Sequence, residues 1–399
     1  MTPMRGLDAL QSTARGRDFL LSHGVHTNRA AFREALSPPA DGRLASTCGA
    51  ADDAFVHMHQ QIYPDHRPSV LGKIMTLDAL AESGVHPAFM WIDTDRAASD
   101  KLACRFYWPH EGALRTAKVT PPGSEAIETR YVRVDPPRTA EAWRRIAGYV
   151  RQDKEGPLAP HEQLARLTAM RPHMVAPEPL GLADYGLGLT RALLRRQLGI
   201  GHSEIIVSDV IERGWLTVAL EDMLDVLPDV IATFSDRVTS LRAEGIDSAV
   251  GVLPPDYLPL YFSDPADGAR LRLRHRIDGA DHYAVAEAKS GRTYKFFLGT
   301  RRLRIDALAA TRRWSPDVTL PMLANALFSG WVAGKSSALY ALVFREVLAT
   351  VLGQKPIPIL VPPRIAAGAS TAASLLHAYV TGAALAGPEL ERIDEPAHG

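Results

Sequence analysis

Leu71-Gly72-Lys73-Ile74-Met75-Thr76-Leu77-Asp78-Ala79-Leu80-Ala81-Glu82-Ser83, then Gly84, then Pro87-Ala88-Phe89-Met90-Trp91-Ile92-Asp93-Thr94-Asp95 is the stretch that decides the fold. Leu71, Ile74, Leu77 and Leu80 recur at helical spacing, and Gly84 can end that helix through a left-handed cap. The next run is apolar almost throughout, as a strand buried on both faces is, and it stops at two carboxylates. Upstream, Leu44-Ala45-Ser46-Thr47-Cys48-Gly49 is short, apolar to small, and halts at glycine, so it reads as the first buried strand before a ligand-facing loop. Strand, loop, helix and strand make a βαβ crossover. That unit demands a parallel sheet and brings the loop after Gly49 and the Asp93 loop to one edge, where α/β proteins bind ligands.

Working outward, residues 1–41 carry a weak helical pattern ending in the turn-rich Ser37-Pro38-Pro39-Ala40-Asp41-Gly42, and read as a helical cap on a core spanning 42–364. Prolines multiply between about 115 and 180, around one helix near Ala140 to Arg151, which suggests a long crossing or insertion. Leu182 to Gly199 is an amphipathic helix followed by a strand at Glu204 to Asp209, and Trp215 to Ala243 is helical in pattern. Between about 269 and 298 the pattern alternates with period two around Asp278-Gly279 and Ser290-Gly291, which predicts a three-stranded antiparallel meander. Val332 to Ser337, a helix Ala338 to Leu352 and a strand Ile357 to Val361 complete the sheet, and 365–399 supply a terminal helix and tail.

With 45 Lys plus Arg against 45 Asp plus Glu, the 399-residue chain has no global basic field, so nucleic acid is not an expected partner. The arginines at every second place from Arg270 to Arg276 are read as one solvated strand face. Cys48 and Cys104 are too few for a disulfide framework and no secretory segment is evident, so a reducing cytoplasm is expected. Ile365 to Pro388 lacks charge but is built of Ala, Gly, Ser and Thr, which suits a packed helix better than a membrane span.

Four groups carry candidate chemistry. Asp93 and Asp95 leave a buried strand, where carboxylates cost desolvation unless a ligand, a cation or an arginine compensates; capping the next helix is the alternative role. Gly334-Lys335-Ser336-Ser337 converges backbone N–H groups, an ammonium and two hydroxyls at a helix start, which is an anion site in chemical terms, or simply a serine cap. Its spacing fails the Walker pattern, because Gly330 lies too close to Gly334. His57-Met58-His59-Gln60-Gln61-Ile62-Tyr63-Pro64-Asp65-His66-Arg67-Pro68 is dense in imidazole but matches no closed zinc pattern, so no metal centre is expected; His66, Arg67 and Lys73 are candidates for phosphate. Cys48 is read as a small buried hydrophobe before a nucleophile, and Trp314-Ser315-Pro316-Asp317 as an architectural turn.

The chain resembles the bacillithiol-biosynthesis cysteine-adding enzymes. Trp314 to Pro321 is similar to that family's S-P-N-V-x-x-R-P stretch, Val332-Ala333-Gly334 to Tyr340 to its V-G-G-P-x-E-x-x-Y helix start, and Pro356 to Arg364 to its closing M-P-x-V-x-P-R strand. Leu182-Ala183-Asp184-Tyr185-Gly186 resembles its A-D-W helix, and Pro87 to Asp95 its apolar strand with an acidic end. The departures are specific: the family's G-Q-Q-A-G-L is sought after the first strand and met as Gly49-Ala50-Ala51-Asp52-Asp53, E-D-H-D appears as Thr94-Asp95-Arg96-Ala97, G-P-x-E as Gly334-Lys335-Ser336-Ser337, and the C-terminal coiled coil is absent.

The resemblance implies a Rossmann-like nucleotide-binding core related to class I aminoacyl-tRNA synthetases, ATP with Mg2+ as cofactor, and joining of an amino acid, cysteine by analogy, to the amine of a small, sugar-like acceptor. On that reading Gly49, His66, Arg67, Lys73, Gly334, Lys335, Ser336 and Ser337 hold phosphate, and Asp93 and Asp95 orient the amine. A non-catalytic nucleotide- or metabolite-binding protein and a nucleotidyltransferase are the alternatives; a homodimer is left open, and no membrane is expected.

Overall fold

The crossover anticipated around Leu71 exists, with a different first strand. In the computed structural model, which describes residues 6–81, 84–97, 105–152, 156–362 and 372–383, α5 (Pro68–Ala81) joins β2 (Ala54–Gln61) to β3 (Val85–Ile92). Leu71, Ile74, Leu77 and Leu80 are fully buried, as their spacing predicts. Leu44–Gly49 is not a strand. It forms α4 (Arg43–Thr47), and Gly49, at φ +74°, ends it in the left-handed conformation that glycine adopts without strain. The true strand reads Ala-Phe-Val-His-Met-His-Gln-Gln, and its two histidines disguise a segment whose interior is buried on both faces.

The main sheet has six strands, all parallel and flanked by helices, in the order β1 (Val25–His26), β15 (Ile359–Leu360), β14 (Gly330–Val332), β2, β3 and β8 (Ser203–Ile206). Val25 and Trp331 both pair with Ile359, and Trp331 pairs with His57. This is the α/β, Rossmann-like class expected from the alternation of apolar runs and amphipathic helices. The N-terminal segment is not a purely helical cap: β1 lies between α2 (Ala14–Ser22) and α3 (Arg29–Glu34), after α1 (Leu7–Gln11). Two residues are too few for a period to show.

Contacts divide the chain into two units. The first comprises Met1–Met58, Leu80–Ala88 and Val207–Pro362. It carries α9 (Val207–Glu212), α10 (Thr217–Asp225) and α11 (Leu227–Ala243), the last two separated at Val226 just before Pro228. A five-stranded antiparallel sheet follows in the order β12 (Thr293–Gly299), β11 (Asp281–Glu287), β10 (Arg270–Asp278), β9 (Tyr257–Ser263) and β13 (Trp314–Pro316). The expected meander forms its first three strands. Trp314-Ser315-Pro316 is a buried edge strand and not a turn, pairing with β9. Short α12 (Asp306–Ala309) and α13 (Leu320–Leu323) precede β14, and α14 (Lys335–Thr350) leaves it.

The second unit comprises His59–Ala79, Phe89–Ile206 and Pro363–Gly399. It contains the hairpin β4 (Arg105–His110) and β5 (Ala113–Lys118), the small pair β6 (Arg133–Val134) and β7 (Leu180–Gly181), and the helices α6 (Pro136–Gln152), α7 (Pro160–Met174), α8 (Leu182–Leu198) and α15 (Leu375–Thr381). The proline-rich region thus holds two helices where one was expected. Pro136 and Pro160 open them at the first turn, where a missing N–H costs nothing. Half of Ile365 to Pro388, and Arg364, lie outside the described residues. Among the described residues no helix is long and apolar enough to cross a membrane.

One close approach positions the loop after β2. A Cβ built on Gly186 of α8 would lie 2.7 Å from Ile62 Cγ2 and 3.3 Å from the Tyr63 carbonyl carbon, so the helix can pass the strand exit this closely only because residue 186 is glycine.

Candidate functional site

At the carboxyl ends of β2 and β3 a chain of polar groups runs from a buried ammonium to a carboxylate. Lys73 of α5 donates to the His59 carbonyl at 3.0 Å and to Gln60 Oε1 at 2.7 Å. Gln60 Nε2 donates to Gln61 Oε1 at 3.1 Å, Tyr63 Oη donates to the same oxygen at 3.3 Å, and Gln61 Nε2 donates to Asp95 Oδ2 at 3.1 Å. The two ends dictate the direction of every bond. An ammonium can only donate and an ionised carboxylate can only accept, so each glutamine must turn its oxygen toward Lys73 and its NH2 toward Asp95. The amide dipoles therefore align between the opposite charges, and each bond in the row strengthens its neighbours.

Burial lowers the Lys73 pKa to about 8, so the lysine loses its proton at a far lower pH than a solvated one. Among the described residues its three N–H groups meet two acceptors. Asp95 is half-buried, its Oδ1 accepts from the Arg96 N–H at 2.8 Å, and its carbonyl accepts from Thr129 N and Oγ1. Asp93 is buried, and its carbonyl accepts from Arg130 N. The turn that follows β3 is thus held by the segment around Thr129, which fixes where the Asp95 carboxylate stands.

His66 does not fit the cationic role expected of it. Its ring is fully buried, stacks on Trp91 at 5.7 Å and 23°, and bonds Thr190 Oγ1 through Nε2 at 2.9 Å. Burial, and next the charge of Lys73, hold its pKa down at about 3, so it is a neutral imidazole inside the unit. Its neighbour Asp65 is buried too, accepting from Leu376 N at 3.0 Å and Tyr107 N at 3.2 Å. Burial raises the Asp65 pKa to about 7 against those hydrogen bonds.

The remaining expected residues have other surroundings. Arg67 is exposed, with its guanidinium 5.4 Å from the Tyr107 ring centroid. Gly49 terminates α4 in the first unit. Gly334 caps α14, also in the first unit, without a side-chain bond of its own; Lys335 is exposed and ion-paired to Asp8 at 2.6 Å, Ser336 is exposed, and Ser337 accepts from Tyr340 Oη at 2.9 Å. In the first unit His57 packs its ring on Phe328 at 3.8 Å, a stacking role that its imidazole-rich setting did not suggest.

Gln60, Gln61 and Tyr63 were missed by the reading of the sequence. Two amides ending an otherwise apolar run are the usable signal, visible once Ala54–Gln61 is taken as the strand. No protein-family model matches the chain and no curated protein is significantly similar to it, so the family resemblance rests on the quoted residues alone.

Proposed function

We propose that the protein receives a small amine-bearing metabolite at the ends of β2 and β3, and that it joins an amino acid to that amine as the resemblance implies. One observation carries the reading: the Gln60-Gln61 pair closes the strand and ties the Lys73 ammonium to the Asp95 carboxylate. A carboxylate oriented by a neighbouring amide, at the carboxyl end of a parallel strand, suits an ammonium or hydroxyl donor. Asp95 would then orient the acceptor, with Lys73 and Gln60 holding Gln61 in place against it.

The set expected to cradle ATP does not fit a triphosphate as a set. His66 is neutral and enclosed, Lys73 is committed to His59 and Gln60, and Lys335 is matched by Asp8. That favours a second reading, a metabolite-binding protein without ligase chemistry. ATP consumption with a panel of amino acids and amino-sugar acceptors separates the two. The ligase reading expects acceptor-dependent release of ADP or AMP, and Asp95→Asn is expected to lower it about 100-fold with an unchanged melting temperature. Acceptor binding without turnover supports the second reading, and no binding of either substrate class removes both.

Lys335→Ala tests the helix start separately. Both partners of its ion pair are nearly half exposed, so less than about 1 kcal/mol of stability is expected to change. A several-fold loss of ATP affinity would return α14 to the site; unchanged affinity, measured by titration calorimetry, leaves it out.

A further inference from the structure

The arginines of β10 share their sheet face with a row of aromatic rings. Arg272 pairs across to Tyr261, Arg276 to Tyr283, and Tyr283 in turn to Phe297, while Val285 stands between Arg274 and Lys295. Directly opposed residues of neighbouring strands point to the same side. The other side holds Leu273, Ala284, Ala286 and Leu298, all buried, so the arginine side faces outward across β10, β11 and β12. The Arg270 and Arg272 guanidinium carbons lie 3.9 and 4.7 Å from the Tyr261 centroid, and Lys295 Nζ lies 3.7 Å from that of Tyr283. Phe297 is 49% exposed, its ring 5.6 Å from Tyr283.

Charge on this face is only partly answered. Four cations meet three carboxylates: Asp256 serves two guanidiniums, Arg274 at 2.8 Å and Arg276 at 3.2 Å, while Arg272 lies 3.4 Å from Asp317 and donates to Tyr261 Oη, and Lys295 lies 3.6 Å from Asp278. Arg274, Arg276 and Lys295 are about half exposed, so their pairs hold little energy against a competing anion. From Asp256 to Asp317 the sequence has 12 Lys plus Arg against 8 Asp plus Glu, inside a chain that balances overall. The field is therefore local, and neutrality of the whole chain conceals it.

An acidic peptide would use the arginines and leave the rings idle; an apolar partner would use the rings and bury the arginines at a cost. Single-stranded nucleic acid uses both, since guanidiniums take phosphate and present stacking planes, and exposed rings take bases. Successive arginines on one face of an antiparallel strand repeat at about 6.8 Å, a spacing comparable with that of phosphates along an extended single strand. A flat sheet face does not enter a duplex groove as a helix or ribbon does. We propose that the open face of β10–β12 binds single-stranded nucleic acid, with phosphates on Arg272, Arg274 and Arg276 and bases on Tyr283 and Phe297.

The test is fluorescence anisotropy of end-labelled oligo(dT) and oligo(U), about twelve nucleotides long, titrated with the full chain over a range of salt. Saturable binding is expected, with a slope of log affinity against log salt near about −2 for three phosphate contacts. Phe297→Ala is expected to weaken binding roughly 5- to 100-fold without changing that slope, and Arg276→Ala to make the slope shallower by about 0.7. Both side chains are exposed, and an unchanged melting temperature verifies that each variant folds. The proposal is overturned if neither oligonucleotide binds saturably at low salt, if binding ignores both substitutions, or if a labelled polyglutamate of equal charge binds as tightly.

Discussion

Asp65→Asn is expected to unmask a loss of stability on acidification that the wild-type protein hides. Asp65 and His66 are adjacent and buried, and their pKa values move in opposite directions, from 3.8 to about 7 and from 6.5 to about 3. Between about pH 4 and 7 the folded Asp65 holds a proton that the unfolded chain has released, so its contribution to stability is full at low pH and falls as pH rises. Between about pH 3 and 6.5 the unfolded His66 holds a proton that the folded one refuses, so its contribution falls as pH drops. Where the windows overlap the proton counts of the two states agree and the slopes cancel. Asparagine mimics the protonated acid in charge but cannot titrate. Urea unfolding should therefore show the stability of the variant, relative to wild type, improving by roughly 3 kcal/mol from pH 4.5 to 7.5, on top of a uniform cost because the amide NH2 cannot accept the bond from Tyr107 N. Parallel profiles for the two proteins over that range would mean that Asp65 is ionised throughout.

Trp91→Ala carries the second large effect. The indole is fully buried in the middle of the second unit, stacked on His66, 5.4 Å from Phe89, and donating from Nε1 to Glu204 at 3.3 Å. Removing it deletes the transfer free energy of the largest side chain and leaves a cavity that the surrounding strand cannot collapse, a cost of about 3–5 kcal/mol. That is a large share of the 5–15 kcal/mol typical of a folded domain. Trp91→Phe keeps a ring against His66 and is expected to cost clearly less. Denaturant midpoints measure both, and an alanine variant within about 1 kcal/mol of wild type would show that the indole is not part of a packed interior. Water admitted beside His66 should also raise its pKa, which histidine proton resonances would follow.

Several features of this protein are legible because they are local. The recurrence of Leu71, Ile74, Leu77 and Leu80 at every third place fixes the inner face of α5, the apolar run to Ile92 fixes β3, and alternation around Asp278-Gly279 fixes the β10–β11 hairpin together with the face on which its arginines stand. Each depends on periods that a few turns of chain express by themselves. Other features needed a distant partner. Leu44–Gly49 and Ala54–Gln61 are both short runs, and pairing with β3 and with β14, far away in sequence, makes the second one the strand. Asp8 pairs with Lys335 at the start of α14, and burial against Trp91 and Thr190 makes His66 a neutral ring. A side chain's type and spacing set which way it faces, whereas its charge state and its availability follow from the dielectric and the partners that the folded chain brings around it. The amino-acid sequence by itself therefore determined the inner faces of α5, β3 and the β10–β11 hairpin; the tertiary structure alone decided which short runs become strands and which polar groups are buried or paired, because both depend on partners distant in the chain.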